Sequence, residues 1–154
     1  MTRNQLIVVA AGGSLGLLLG AFAFQYIGGM IPCVLCLYQR WPHAAAVLIG
    51  LLALKIGGRA LPVLGALAAA TSAGIGVLHV GVEQTWWEGL AACTVDTMKN
   101  VAPGDLLNLD VTVGAPVRCD AIPWQMFGIS MAGWNVIVSA LLVVVWLAAA
   151  FRRR

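Results

Sequence analysis

Charge is what this chain has least of. Only 10% of its 154 residues are Asp, Glu, Lys or Arg and 61% are hydrophobic, whereas an ordinary soluble domain is about 25% charged. That scarcity excludes a typical soluble enzyme. The nine Lys and Arg residues lie mostly at the borders of apolar runs, so no basic stripe is available to follow a phosphate backbone, and no nucleic-acid partner is expected. Acidic residues are scarcer still: there are six, and none precedes Glu83. Cysteine is limited to four positions, too few for a small secreted scaffold held together by disulfides.

What is present in quantity is long apolar sequence. Four runs, at about 6–24, 33–54, 60–82 and 129–151, have the length a bilayer crossing needs. Backbone groups in lipid have no water to bond, so each run is expected to be a helix. The fold class is therefore an all-α membrane protein, a four-helix transmembrane bundle forming a single integral domain over 1–154, with one long external loop at about 83–128. Arg3 before the first run and Ala21-Phe-Ala23 near its end resemble a secretory leader, but an apolar stretch of about nineteen residues is longer than a leader core. It is kept as a span.

The charges set the orientation. Arg3, Lys55, Arg59, Arg152, Arg153 and Arg154 fall at one side of the four runs, which makes that side, and both termini, cytoplasmic. Glu83, Glu88, Asp96, Asp105, Asp110 and Asp120 all lie toward the opposite compartment, between the third and fourth runs. All four cysteines are on that external side too: Cys33 and Cys36 at the start of the second run, Cys93 and Cys119 in the loop. Disulfides persist in an oxidising periplasm or its equivalent, so this distribution is a redox signature.

Cys33-Val-Leu-Cys36 follows Pro32, a residue favoured at a first helical position. Thiols in a first turn meet unpaired N–H groups and the positive end of the helix dipole, which stabilise a thiolate. Arg40 is four residues beyond Cys36, and helical side chains lean toward the N-terminus, so its guanidinium is expected to reach back toward that sulfur. An arginine inside a span costs about 2.5–3.5 kcal/mol at the helix centre and otherwise snorkels to the interface. Beside a thiolate it acquires a second use, as a cation able to hold a developing oxyanion.

Four cysteines allow three pairings. Proximity favours Cys33 with Cys36, leaving Cys93 to close a loop with Cys119, which taken alone would be a structural staple of about 3–4 kcal/mol. A zinc site built from two close pairs does not match this spacing, and no metal is expected. His79 and Glu83, four apart at the outer end of the third run, read first as a solvated helix end with a local ion pair and second as a proton relay. His43 reads as a hydrogen-bonded packing residue. Trp86, Trp87, Trp124 and Phe127 flank the loop where an aromatic belt belongs, and residues 102–104 and 114–116 carry Pro and Gly that break any long helix inside it. Gly12, Gly16 and Gly20, and likewise Ala66, Ala70 and Gly74, recur every four residues and are expected to line close helix contacts, within the bundle or equally in a homodimer.

The string from Pro32 to Arg40, PCVLCLYQR, together with four spans and the later single cysteines Cys93 and Cys119, resembles the disulfide bond formation protein B (DsbB) family. That resemblance implies a thiol:quinone oxidoreductase of the bacterial inner membrane, with its active site facing the periplasm. It implies that a reduced thioredoxin-like partner, DsbA, attacks Cys93, that Cys119 then attacks Cys33, and that Cys36 beside Arg40 passes electrons to ubiquinone or menaquinone. Quinone reduction consumes protons, so His79 near the outer interface is, from its position alone, a further candidate for the quinone site. Two other classes fit the composition. A vitamin K epoxide reductase-like enzyme shares four helices and four cysteines, but its loop cysteines precede the membrane CxxC. A passive disulfide-stapled membrane subunit gives no reason for Arg40 to be in register with Cys36.

Overall fold

The computed structural model describes residues 1–90, 93 and 118–152. Asp96, Asp105, Asp110, Arg153, Arg154, residues 103–113 and the Pro/Gly breaks at 102–104 and 114–116 lie outside the described residues. Four helices carry the fold: α1 Arg3–Tyr26, α2 Val34–Lys55, α3 Ala60–Glu83 and α4 Met131–Phe151. α1, α3 and α4 are long and apolar enough to cross a membrane. α2 falls short of that hydropathy because Gln39, Arg40, Pro42 and His43 interrupt it.

Local chemistry sets the ends. Thr2 caps α1 in a capping box with Gln5, so the helix begins ahead of the expected residue 6. Cys33 is the N-cap of α2 and not a first-turn residue: its sulfur accepts from the Cys36 amide at 3.2 Å, and Pro32 precedes the cap. Ile129 and Ser130, expected inside the fourth run, instead pair with Met126 and Gln125 as a two-residue ladder. The turn between these strands puts Phe127 (φ 54°) and Gly128 (φ 75°) in the left-handed region. Glycine adopts it freely, whereas phenylalanine pays about 1–2 kcal/mol there. Ser130 then caps α4, accepting from Gly133 N at 3.1 Å.

The helices form a ring in which α1 and α3 each pack against α2 and α4. At one end Arg3 donates to the carbonyls of Gly58 (2.9 Å) and Ala53 (3.4 Å), tying α1 to the α2–α3 turn. There Ile7, Ala10, Ala53, Ala66, Ala69, Leu142 and Ala149 surround Trp146, which is fully buried. A second cluster at the opposite end contains Cys33, Leu35, Val82, Cys93 and Cys119.

Of these small residues Ala66 is buried in a helix contact as expected, and the others make no close contact within the bundle. A side chain at Gly12, Gly16, Gly20 or Gly74 would meet nothing within 4 Å, and Ala70 is exposed. Close contacts occur at Gly65, where a Cβ would come 2.7 Å from the Trp146 ring, and at Gly76, 2.7 Å from Val136. Periodicity gave the stripe, but helix rotation decided which face met a neighbour. Gly65→Val is therefore expected to destabilise the bundle by about 1–3 kcal/mol through overpacking, with Gly12→Val close to neutral. Thermal unfolding in detergent checks this, and equal losses at the two sites would contradict the packing described.

Candidate functional site

The site lies at the end of the bundle away from Arg3, where the starts of α2 and α4 meet the ends of α1 and α3. Cys33 and Cys36 are thiols with their sulfurs 2.8 Å apart. Cys93 and Cys119 form a disulfide with a Cα separation of 5.2 Å. Cys33, Cys93 and Cys119 are buried in one cluster with Leu35 and Val82, and the half-buried Cys36 packs against its edge. Two residues adjacent on a helix and two separated by 26 positions are thus brought into one group.

Around the sulfurs the polar side chains are paired inside the protein. His79 Nε2 lies 3.6 Å from Cys33 Sγ and 3.7 Å from Glu83 Oε1. Ser130 Oγ donates to Glu83 Oε2 at 2.5 Å, joining the end of α3 to the cap of α4. The expectation of a solvated His79–Glu83 pair is corrected here. The pair exists, but its side chains are only 5% and 3% exposed, because the 118–130 segment covers that helix end. Trp87 folds back over Gly81, where no side chain would fit, and donates its indole N–H to the Leu78 carbonyl at 2.9 Å.

Below the sulfurs a buried polar chain crosses three helices. Asn135 Nδ2 donates to Gln39 Oε1 at 2.6 Å, and Gln39 Nε2 lies 3.0 Å from His79 Nδ1. His43 is buried, with Nε2 at 2.9 Å from Ser72 Oγ and 3.0 Å from Asn135 Oδ1, in agreement with its reading as a hydrogen-bonded packing residue. Sequence reasoning passed over Gln39, Asn135, Ser72 and Ser130. Their signal was available: each is a polar side chain in or beside an apolar helix, where polar groups survive only with partners.

Arg40 takes a different direction from the expected one. Its guanidinium donates to Gln25 Oε1 at 2.6 Å and to the Ala21 carbonyl at 3.4 Å, and it lies over the Phe22 ring at 5.0 Å. These partners are all on α1, and its hydrogen bonds do not include Cys36. Arg40 and Cys36 instead share the wall of a cavity of about 290 Å³ among α1, α2 and α4. Gly16, Gly20 and Phe24 form the α1 side, and Asn135 contributes from α4. Arg40 Nε is buried there without a hydrogen-bond partner among the described residues.

The ligand atoms of Cys33, Cys36 and His79 all lie within 4.8 Å of one another. Such a trio holds a cation only if the imidazole turns a lone pair toward the sulfurs. At the surface, Arg118 forms a forked ion pair with Asp120 at 2.5 and 2.9 Å. Its hydrogen bonds hold the Asp120 carboxyl below the usual carboxylate range.

The chain matches the family model described as disulfide bond formation protein DsbB over residues 3–149. It is 32% identical over 147 residues to a disulfide bond formation protein B of Shewanella sp. (strain MR-4), covering 84% of this chain and 77% of that one. It is 33% identical over 147 residues to the protein of that name from Marinobacter nauticus, covering 90% and 86%. No solved structure matches.

A carboxyl whose folded-state pKa is depressed stabilises the fold above its unfolded pKa and loses that contribution as pH falls through the folded value. Asp120 is therefore expected to titrate below the ordinary aspartate range, and Arg118→Gln should return it to that range. A carboxyl-carbon NMR titration measures this. An Asp120 already titrating normally in the unmodified chain would contradict the ion pair.

Proposed function

The chain belongs to the DsbB family of disulfide bond formation proteins, and on that premise we propose that it is a thiol:quinone oxidoreductase of the bacterial inner membrane that reoxidises a periplasmic DsbA-type dithiol partner. The observation that carries this reading is the gathering of all four cysteines at one end of the bundle, with Cys36 opening onto a cavity that Arg40 also lines. A structural staple needs only the Cys93–Cys119 pair. Cys33, buried in the same cluster, and the half-buried Cys36 at its edge supply a second redox couple beside it.

In the proposed topology all four helices cross the membrane, residues 1–154 form one domain, and both termini are cytoplasmic. Support comes from the ends of the bundle. Arg3, Lys55 and Arg152 gather around one end, and the cysteines lie at the other. α2 qualifies despite its polar residues because Gln39 and His43 are buried within the bundle and Arg40 is paired with Gln25, so lipid need not solvate them. Trp86, 67% exposed, and Phe127, 88% exposed, anchor the two ends of the 83–128 segment at the headgroups.

Turnover begins with Cys33–Cys36 and Cys93–Cys119 both as disulfides. The partner's thiolate attacks Cys93, forming a Cys93–partner disulfide and releasing Cys119 as thiolate. Cys119 attacks Cys33, forming a Cys33–Cys119 bond and freeing Cys36 at the cavity wall. The partner's second thiol then displaces Cys93 and leaves as the oxidised dithiol partner. Each exchange conserves electrons, so one pair has moved from the partner to the membrane thiols.

The cavity suits ubiquinone or menaquinone: its walls are largely apolar, and Arg40 Nε is a buried donor with no acceptor among the described residues. A quinone bound there supplies an acceptor for two electrons and two protons. Cys33 and Cys36 both line the cavity, as does His79, and Arg40 would offer N–H groups to a quinone oxygen. Gly16 and Gly20, where an added Cβ would meet nothing within 4 Å, line the same cavity and leave that wall free of side chains.

Cys119→Ala tests the electron route. Cys93 in this variant is expected to form a mixed disulfide with the reduced partner that Cys33 no longer helps to resolve, visible as a stable adduct on non-reducing gels and mapped by mass spectrometry. An adduct mapping to Cys33 would reverse the assignment.

A further inference from the structure

The buried chain that ends at Cys33 has a direction, and its neighbours fix it. The Gln39 amide has one end 3.2 Å from the Leu35 carbonyl and 3.0 Å from His79 Nδ1, and the other 2.6 Å from Asn135. A backbone carbonyl only accepts, so the end facing Leu35 is the NH₂ and the end facing Asn135 is the oxygen. Asn135 agrees: its donating nitrogen also lies 3.5 Å from the Ser72 carbonyl. With an N–H of Gln39 directed at it, His79 Nδ1 is the acceptor, and in the neutral ring the single proton is on Nε2. The groups facing Nε2 are able to accept: Glu83 Oε1 at 3.7 Å, and Cys33 Sγ at 3.6 Å, whose own S–H is directed at Cys36 Sγ.

We propose that Gln39 is a positioning residue that fixes the tautomer of His79, so that the imidazole presents a proton donor, and not a lone pair, to the Cys33 sulfur. Two consequences follow. His79 hydrogen-bonds to negative charge on Cys33 during exchange but does not act as its base. The Cys33–Cys36–His79 trio, which has the composition of a soft-metal site, is closed to cations while both thiols are reduced, since the nitrogen facing the sulfurs is already protonated. A reduced dithiol in an oxidising compartment is thereby kept free for electron transfer. The positional logic is that of an outer partner setting the tautomer of a ligating histidine, here used in the opposite sense.

The direct test is ¹⁵N NMR of histidine-labelled reduced protein in detergent, with His79 signals assigned by their loss in His79→Gln. The expected spectrum shows Nε2 protonated and Nδ1 bare; a protonated Nδ1 overturns the proposal, with no other variant needed. Gln39→Leu removes the donor and should mix the two tautomers, and an unchanged spectrum would mean that Gln39 does not set them. The same variant should lower kcat for quinone reduction by about tenfold or more, the low end for one hydrogen bond to a charged group, and change KM for quinone much less, although Gln39 is also in the cavity wall. A rise in KM with constant kcat overturns the positioning role. The kinetic arm rests on the thiol:quinone reading and the spectroscopic arm does not, so failure of one is distinguishable from failure of the other.

Discussion

A polar side chain inside an apolar bundle has no water to fall back on, and the arrangement of this molecule depends on that constraint. Gln39 and His43 on α2, Ser72 and His79 on α3, and Asn135 on α4 hydrogen-bond to one another, with only His43 Nδ1 of this group left without a partner among the described residues. Because these residues belong to three helices, pairing them sets how each helix is rotated about its axis. On α2 the buried positions Leu35, Gln39, His43, Ala46, Gly50 and Ala53 follow a helical period. With that face turned to α3 and α4, Arg40 is left toward α1, where Gln25 and the Ala21 carbonyl receive it.

The bundle is consequently tight at one end and open near the other. Trp146 fills the space over Gly65 and Gly50 at the basic end, leaving no room for added atoms. Toward the cysteine end, Gly16 and Gly20 of α1 present no side chain to the interior, and a cavity lies between them and Cys36. Cys33 as N-cap, the Ser130 cap bonded to Glu83, and the Cys93–Cys119 bridge close the top. The proposed function, in which the thiol couple meets a membrane-soluble acceptor on one side and protein thiols on the other, suits such a position.

Much of this was legible in the sequence because its causes are local. Four helices, the CxxC at the head of the second, and the division between basic and cysteine-bearing ends follow from runs and counts within short windows. What failed needed tertiary information. Gly12, Gly16 and Gly20 have the spacing of a contact stripe, but spacing does not say which way a helix is turned, and the contacts fell at Gly65 and Gly76 instead. His79 and Glu83 sit at a helix end and so read as solvated, until residues forty positions downstream cover them. The choice of Gln39 and Asn135 as partners, 96 residues apart, has no signature in either segment alone. Arg40 was correctly singled out as an anomaly, but its partner was sought one turn away on its own helix and lies on α1.

The central claim is that electrons leave the partner's thiols through these four cysteines and exit at Cys36. Purified protein in quinone-containing lipid, supplied with a reduced DsbA-type dithiol, should reduce one quinone for each disulfide formed, followed by the loss of quinone absorbance and by thiol counting. Cys36→Ser should abolish quinone loss while Cys93 still captures the partner. Sustained quinone reduction in Cys36→Ser, or partner oxidation without quinone loss in the unmodified protein, would contradict the account.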